Sequence, residues 1–170
     1  MRRVASLLFA VALIAAGCGS SSTSPSNAPV VFTAQLLPSN EPVAINGGET
    51  SGSGSATITF NLTKDSGGTI TSATANFNVT VTGFPSTTAL SAAHIHIGAA
   101  GSPQGTIVVN TTLISGEVTL TNGAGGFQKL GIGFDPAVAQ QILNNPAGYY
   151  FNVHSSANPA GVARGQLVKQ

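Results

Sequence analysis

Two stretches of the chain alternate apolar and polar residues with a period of two. From Ser55 to Thr63, Ala56, Ile58, Phe60 and Leu62 fall on one side, and Thr57, Thr59 and Asn61 on the other. From Ile70 to Thr82, Ala73, Ala75, Phe77, Val79 and Val81 oppose Thr74, Asn76, Asn78, Thr80 and Thr82. Successive side chains of an extended chain point to opposite faces, so the pattern predicts two strands, each burying one face. Asp65-Ser66-Gly67-Gly68 lies between them and reads as a hairpin turn.

The same texture recurs along the chain. Further strands are expected at Val30–Leu37, Ala92–Ile97, Thr106–Asn110, Glu117–Leu120, Tyr149–His154 and Val162–Val168, separated by Gly- or Pro-containing turns. One segment departs from it. Asp135 can cap a helix whose first turn takes Pro136, and Ala137 to Leu143 continues it as far as Asn144-Asn145-Pro146. About eight strands and one short helix predict an all-β domain, a Greek-key β-sandwich or barrel.

The N-terminus carries an address. Met1-Arg2-Arg3 is a basic start, Val4 to Ala16 is an apolar run, and small residues lead into Cys18. That order describes a secretory signal peptide, and the run is too short for a spanning helix, which needs about 20 residues. Ala15-Ala16-Gly17-Cys18 resembles the lipobox of bacterial lipoproteins, with Ala15 where the pattern more often has Leu. In that family the Cys is acylated and becomes the mature N-terminus. The expected organisation is therefore a signal peptide over 1–17, a lipid-anchored flexible linker over 18–28 and one β domain over 29–170. The Ser-rich stretch from Gly19 to Ala28 buries nothing and suits a tether. The domain is expected outside the cytoplasm, attached to the cell envelope or surface through a lipid on Cys18, the chain's single cysteine.

Removing the signal changes the charge balance. The whole chain has a formal net charge of +1, but Arg2 and Arg3 leave with the signal. Lys64, Lys129, Arg164 and Lys169 then face Glu41, Glu49, Asp65, Glu117 and Asp135, a net of −1. No basic stripe remains to hold phosphates, which argues against a nucleic-acid partner. With no second cysteine, the domain must be held by core burial and sheet hydrogen bonds rather than a disulfide.

The three histidines are the residues best suited to chemistry. His94-Ile95-His96-Ile97 puts two imidazoles on one face of a strand, about 6.6 Å apart along it. Phe151-Asn152-Val153-His154 repeats the arrangement, with Asn152 and His154 on one side. If the two strands are neighbours, His94, His96 and His154 can converge on a copper or zinc ion, leaving a fourth position for water or a ligand. The competing reading is that the rings simply hydrogen-bond to backbone, to hydroxyls or to each other, since no carboxylate or thiol adjoins them in sequence. No catalytic residues are expected. Asp65 is explained by a turn and Asp135 by a cap, Gly52-Ser53-Gly54 by a loop, and no nucleophile stands beside a base.

Four blocks resemble the CHRD domain, first described in chordin. They are Phe32 to Leu36 with Asn40-Glu41-Pro42, then Gly54 to Thr57, then Ala93 to Gly98 with Gly101 and Gly105. The last is Tyr150 to Gly161 with Arg164-Gly165-Gln166-Leu167. They follow the family's order over most of the chain. Val162-Ala163 departs from it, since an acidic and an aliphatic residue usually precede the Arg. The resemblance implies an all-β domain found in exported microbial proteins and repeated in a growth-factor-binding protein, with no established enzyme activity. The histidine pattern is also similar to that of copper-zinc superoxide dismutase. The chain lacks that enzyme's further metal-binding histidines, zinc-site Asp pattern and disulfide, so dismutase activity is not expected.

Arg164 is one of few charges, in a strand flanked by Gly161 and Gly165. A structural role is expected for it, pairing with Glu41 or Glu117 or donating to carbonyls across the sheet. The leading expectation for the whole chain is an exported, membrane-tethered, non-enzymatic binding or structural module. Its partner would be an extracellular protein, a polysaccharide or another copy. The alternative is a copper- or zinc-binding protein using the three histidines.

Overall fold

A computed structural model describes residues 27–170. The signal segment, Cys18 and most of the linker lie outside the described residues. No helix among the described residues is long and apolar enough to cross a membrane.

The alternating stretches form the centre of a five-stranded antiparallel sheet. Strand β1 (Val30–Leu36) pairs with β2 (Ser53–Lys64), and β2 with β3 (Ile70–Thr82). The turn between β2 and β3 is tied by Asp65, whose Oδ1 accepts from the amides of Gly67 and Thr69 at 2.9 Å each. Phe32, Ile58, Phe60, Ala75, Phe77 and Val79 all point inward and are buried. The Thr and Asn residues between them face outward, as period-2 alternation requires.

The second sheet lies against that apolar face. Strand β4 (Ala89–Ile97) has β5 (Ile107–Asn110) on one side and β8 (Tyr149–Ser155) on the other, with β9 (Ala163–Gln166) beyond β8. A two-residue strand, β6 (Val118–Thr119), also pairs with β4. The sheets meet through rings such as Phe77 and Phe151, stacked with centroids 5.6 Å apart. Helix α1 (Pro136–Asn144) has Asp135 as its N-cap, accepting from the Ala137 amide at 2.7 Å, and buries Ala139 and Ile142.

The result is a two-sheet sandwich, with no closed barrel among the described residues. It has ten strands rather than about eight, and two local causes account for the difference. The segment Gly125–Phe134 forms strand β7 on the edge of the first sheet, beside β3. It carries little strand signal because it is Gly-rich and its Leu130 is 70 % exposed. A bulge opposite Asn76 breaks its pleat; there Gly131 takes φ +65° and donates its amide to Asn76 Oδ1 at 2.8 Å. The other cause is at the C-terminus. The expected single strand over 162–168 divides at buried Leu167, so that β9 belongs to the second sheet and β10 (Val168–Lys169) to the first. Gly165 permits this crossing, since a Cβ there would stand 2.0 Å from the Gln35 carbonyl oxygen on β1.

Candidate metal centre

Strand β8 is buried along its whole length, although only its odd-numbered side faces the first sheet. Its other side carries Tyr150, Asn152 and His154, and loops cover that side. Residues 37–52 lie over it through Asn40, Glu41, Asn46 and Glu49. Two loops complete the cover, at 98–106 and 156–162. The sandwich therefore has an apolar core between its sheets and a polar one outside the second sheet.

Strand register places the residues of this polar core. On β4, His94 lies opposite Asn152 on β8, and Asn152 lies opposite Arg164 on β9. One step along, His96 lies opposite Tyr150; one step the other way, His154 lies opposite Ala92. His94, His96 and His154 are each at most 9 % exposed. One nitrogen from each ring falls within 4.8 Å of the others. Local spacing brought two of them together, and the β4–β8 pairing supplied the third.

Hydrogen bonds orient the rings. His96 Nδ1 donates to the Gly105 carbonyl at 2.8 Å, and His154 Nδ1 donates to that of Pro159 at 3.0 Å. Each neutral ring carries one proton, so both Nε2 atoms hold lone pairs. His154 Nε2 accepts from His94 Nδ1 at 3.1 Å, whereas His96 Nε2 is buried without a partner. Burial keeps all three rings neutral. It lowers His94 to about 4, with the charges of His154 and His96 adding to the effect, and it is also the main cause of the lowering at His96 and His154.

A stack of three groups braces the site from one side. His96 lies parallel to the Tyr150 ring at 5.0 Å, and the Arg164 guanidinium sits 4.4 Å from that ring's centroid. The Tyr150 hydroxyl accepts from the Gly105 amide at 3.0 Å, so the residue that orients His96 is itself held by Tyr150. Arg164 is 2 % exposed and donates from Nε to the Asn40 carbonyl at 2.6 Å and from a terminal nitrogen to that of Ser102 at 2.7 Å. Glu117 is elsewhere, paired with Lys129 at 2.6 Å. Glu41 is the acid near Arg164. Burial raises its carboxyl to about 7 against the opposing effects of Arg164 and of a bond from Asn152 Nδ2 at 3.3 Å. A cleft of about 320 Å³ opens beside Asn40, Glu41, Gly101 and Arg164.

Two members of this core stand out less in the sequence. Asn152 is signalled only by its alternation with Phe151 and Val153. Glu49 has no local signal, yet it is 3 % exposed and accepts from Thr88 Oγ1 at 2.7 Å, Ser155 Oγ at 2.5 Å and Asn158 Nδ2 at 2.6 Å. These bonds pin the covering loop to the strand that carries His154.

Three neutral imidazoles converging in a buried polar site, two of them oriented by carbonyls, form a donor set suited to copper or zinc.

No curated protein and no solved structure gives a significant match to the chain. The family model for the CHRD domain matches residues 32–167, from the first core residue of β1 to the hinge between β9 and β10. That span takes in both sheets, all three histidines and the loops that cover them, and the chain belongs to the CHRD domain family, a non-catalytic one.

Proposed function

We propose that this chain is an exported, membrane-tethered, non-enzymatic module that holds a copper or zinc ion on His94, His96 and His154. The observation that carries the metal reading is the convergence of three buried ring nitrogens within 4.8 Å. Ordinary core histidines use both nitrogens on protein partners. Here the Nε2 of His96 has none, and the Nδ1 bonds of His96 and His154 fix tautomers whose Nε2 atoms carry lone pairs, that of His154 being met only by another ring of the cluster. The tether reading rests on the basic start, the apolar run and Cys18. Its partner outside the cell would be a protein or polysaccharide.

Metal analysis and titration of the purified chain test the first part. Cys18 is replaced by Ser so that no thiol competes. One equivalent of copper or zinc should bind with micromolar affinity or better near neutral pH, and a variant with all three histidines replaced by Ala should lose it. A wild-type titration showing neither ion bound would remove the metal reading. For the tether, cell fractionation should find the chain with membranes and its C18S variant in the soluble extracytoplasmic fraction.

A further inference from the structure

We infer that Asn152 is the fourth donor of the three-histidine site, closing it as a set of three imidazole nitrogens and one amide oxygen with no position left for water. The inference rests on the metal reading above and deepens it.

Asn152 sits at the centre of the histidine group. It is the cross-strand partner of His94 and lies two residues from His154 on the same face of β8. Its amide is oriented by Glu41, which accepts from Nδ2 at 3.3 Å and so turns Oδ1 the other way. Gly161 makes that arrangement fit. A Cβ there would stand 2.6 Å from Asn152 Nδ2 and 2.8 Å from both Glu41 carboxylate oxygens, and its φ of +133° favours glycine.

The amide oxygen has no donor within reach, although Asn152 is 1 % exposed. His96 Nε2, on the neighbouring strand, is in the same condition. Two buried acceptors on the adjacent strands β4 and β8 are thus left without a donor. Buried polar atoms are rarely left so, and each orphan calls for an explanation. A cation bound by both lone pairs satisfies both at once.

The donor set also selects the ion. An amide oxygen is a hard ligand and imidazole an intermediate one, whereas copper(I) is favoured by thiolates and thioethers. Four donors without a thiol suit zinc(II) or copper(II), and a filled fourth position matches structural rather than catalytic zinc sites. Glu41 then takes the place of the outer carboxylate that commonly steadies a metal ligand.

The test is electron paramagnetic resonance of the copper(II)-loaded chain in ¹⁷O-enriched water, beside zinc(II) and copper(I) titrations of wild type and N152L. Wild type should show no ¹⁷O broadening from directly bound water. In N152L, broadening should appear and zinc(II) affinity should fall about tenfold or more, with copper(I) affinity nearly unchanged. A N152D variant, which keeps an oxygen donor in the same place, should remain free of broadening. Broadening in loaded wild type, or N152L binding zinc(II) as tightly as wild type, overturns the role of Asn152 while leaving the three-histidine site standing. Wild type that binds no ion overturns both. Should N152L fail to fold, the wild-type spectrum still decides.

Discussion

His94 Nδ1 lies 3.1 Å from His154 Nε2, while the other nitrogen of His154 donates to the Pro159 carbonyl. One proton, carried by His94 Nδ1, therefore occupies the space between two buried rings, and His94 Nε2 keeps its lone pair. Both rings are held in place by the pairing of β4 with β8.

Depressed imidazoles should make ion binding resistant to acid. Protons compete for a ring only below its own pKa, and His94 has fallen to about 4 with His96 and His154 also lowered. Three ordinary imidazoles would lose affinity roughly ten-thousandfold between pH 7 and pH 5. The loss expected here is far smaller, with release concentrated toward pH 4. Zinc titrations at pH 7, 6 and 5 measure it, and a decline as steep as the ordinary case would show that the rings are not held neutral.

Glu41 should act on stability in the opposite direction from the histidines. Its folded pKa of about 7 exceeds the ordinary value of 4.5, so the folded chain binds the extra proton between those values. The associated stability is present below pH 4.5 and is lost as pH rises through 7. The histidines, lowered in the fold, lose theirs as pH falls below 6.5. E41Q isolates the first effect. In metal-free protein, its urea midpoint should gain on wild type as pH is raised from 5 to 8, and parallel curves would rule out a buried, titrating Glu41.

The legibility of this fold in its sequence follows from which faces meet water. Strands β2 and β3 bury one face and wet the other, so Ile58 against Thr59 and Phe77 against Asn76 declare themselves. Strand β7 keeps no such alternation, because its glycines let it approach β3 and the Gly131 bulge resets its pleat; a Cβ at Gly126 would stand 2.1 Å from the Val79 carbonyl oxygen. At the site, His94 and His96 are legible as a pair by spacing alone. Their meeting with His154 depends on which strand lies beside β4. The role of Glu49 was not legible at all, because its partners Ser155 and Asn158 are more than a hundred residues away.

Glu49 should be the most sensitive polar position in the cover. Replacing it by Ala leaves the buried donors of Thr88, Ser155 and Asn158 without their acceptor. Each unmade buried bond costs about 1–3 kcal/mol, so E49A should lose about 3 kcal/mol or more in urea denaturation. E49Q keeps the shape but turns one acceptor into a donor facing donors, and should lose roughly half as much. Hydrogen exchange should quicken first in residues 46–52 and 155–161. Uniform quickening throughout both sheets would mean that Glu49 supports the sandwich generally rather than this loop.

Arg164 joins three segments, and lysine should not replace it. Its guanidinium reaches the carbonyls of Asn40 and Ser102 while lying against Tyr150, and its own backbone bridges to Leu37 at the end of β1. A lysine ammonium is a compact point charge that cannot lie flat on the ring and span both carbonyls. R164K should therefore lose about 2–4 kcal/mol, from one or two unmet carbonyls and a poorly solvated charge. Thermal melts of the metal-free chain measure the loss. Amide exchange at Asn40 and Ser102 shows whether it comes from these contacts. Because Tyr150 backs His96, the same variant should weaken zinc binding, whereas an Arg164 that only adds surface charge would leave both readouts within error of wild type.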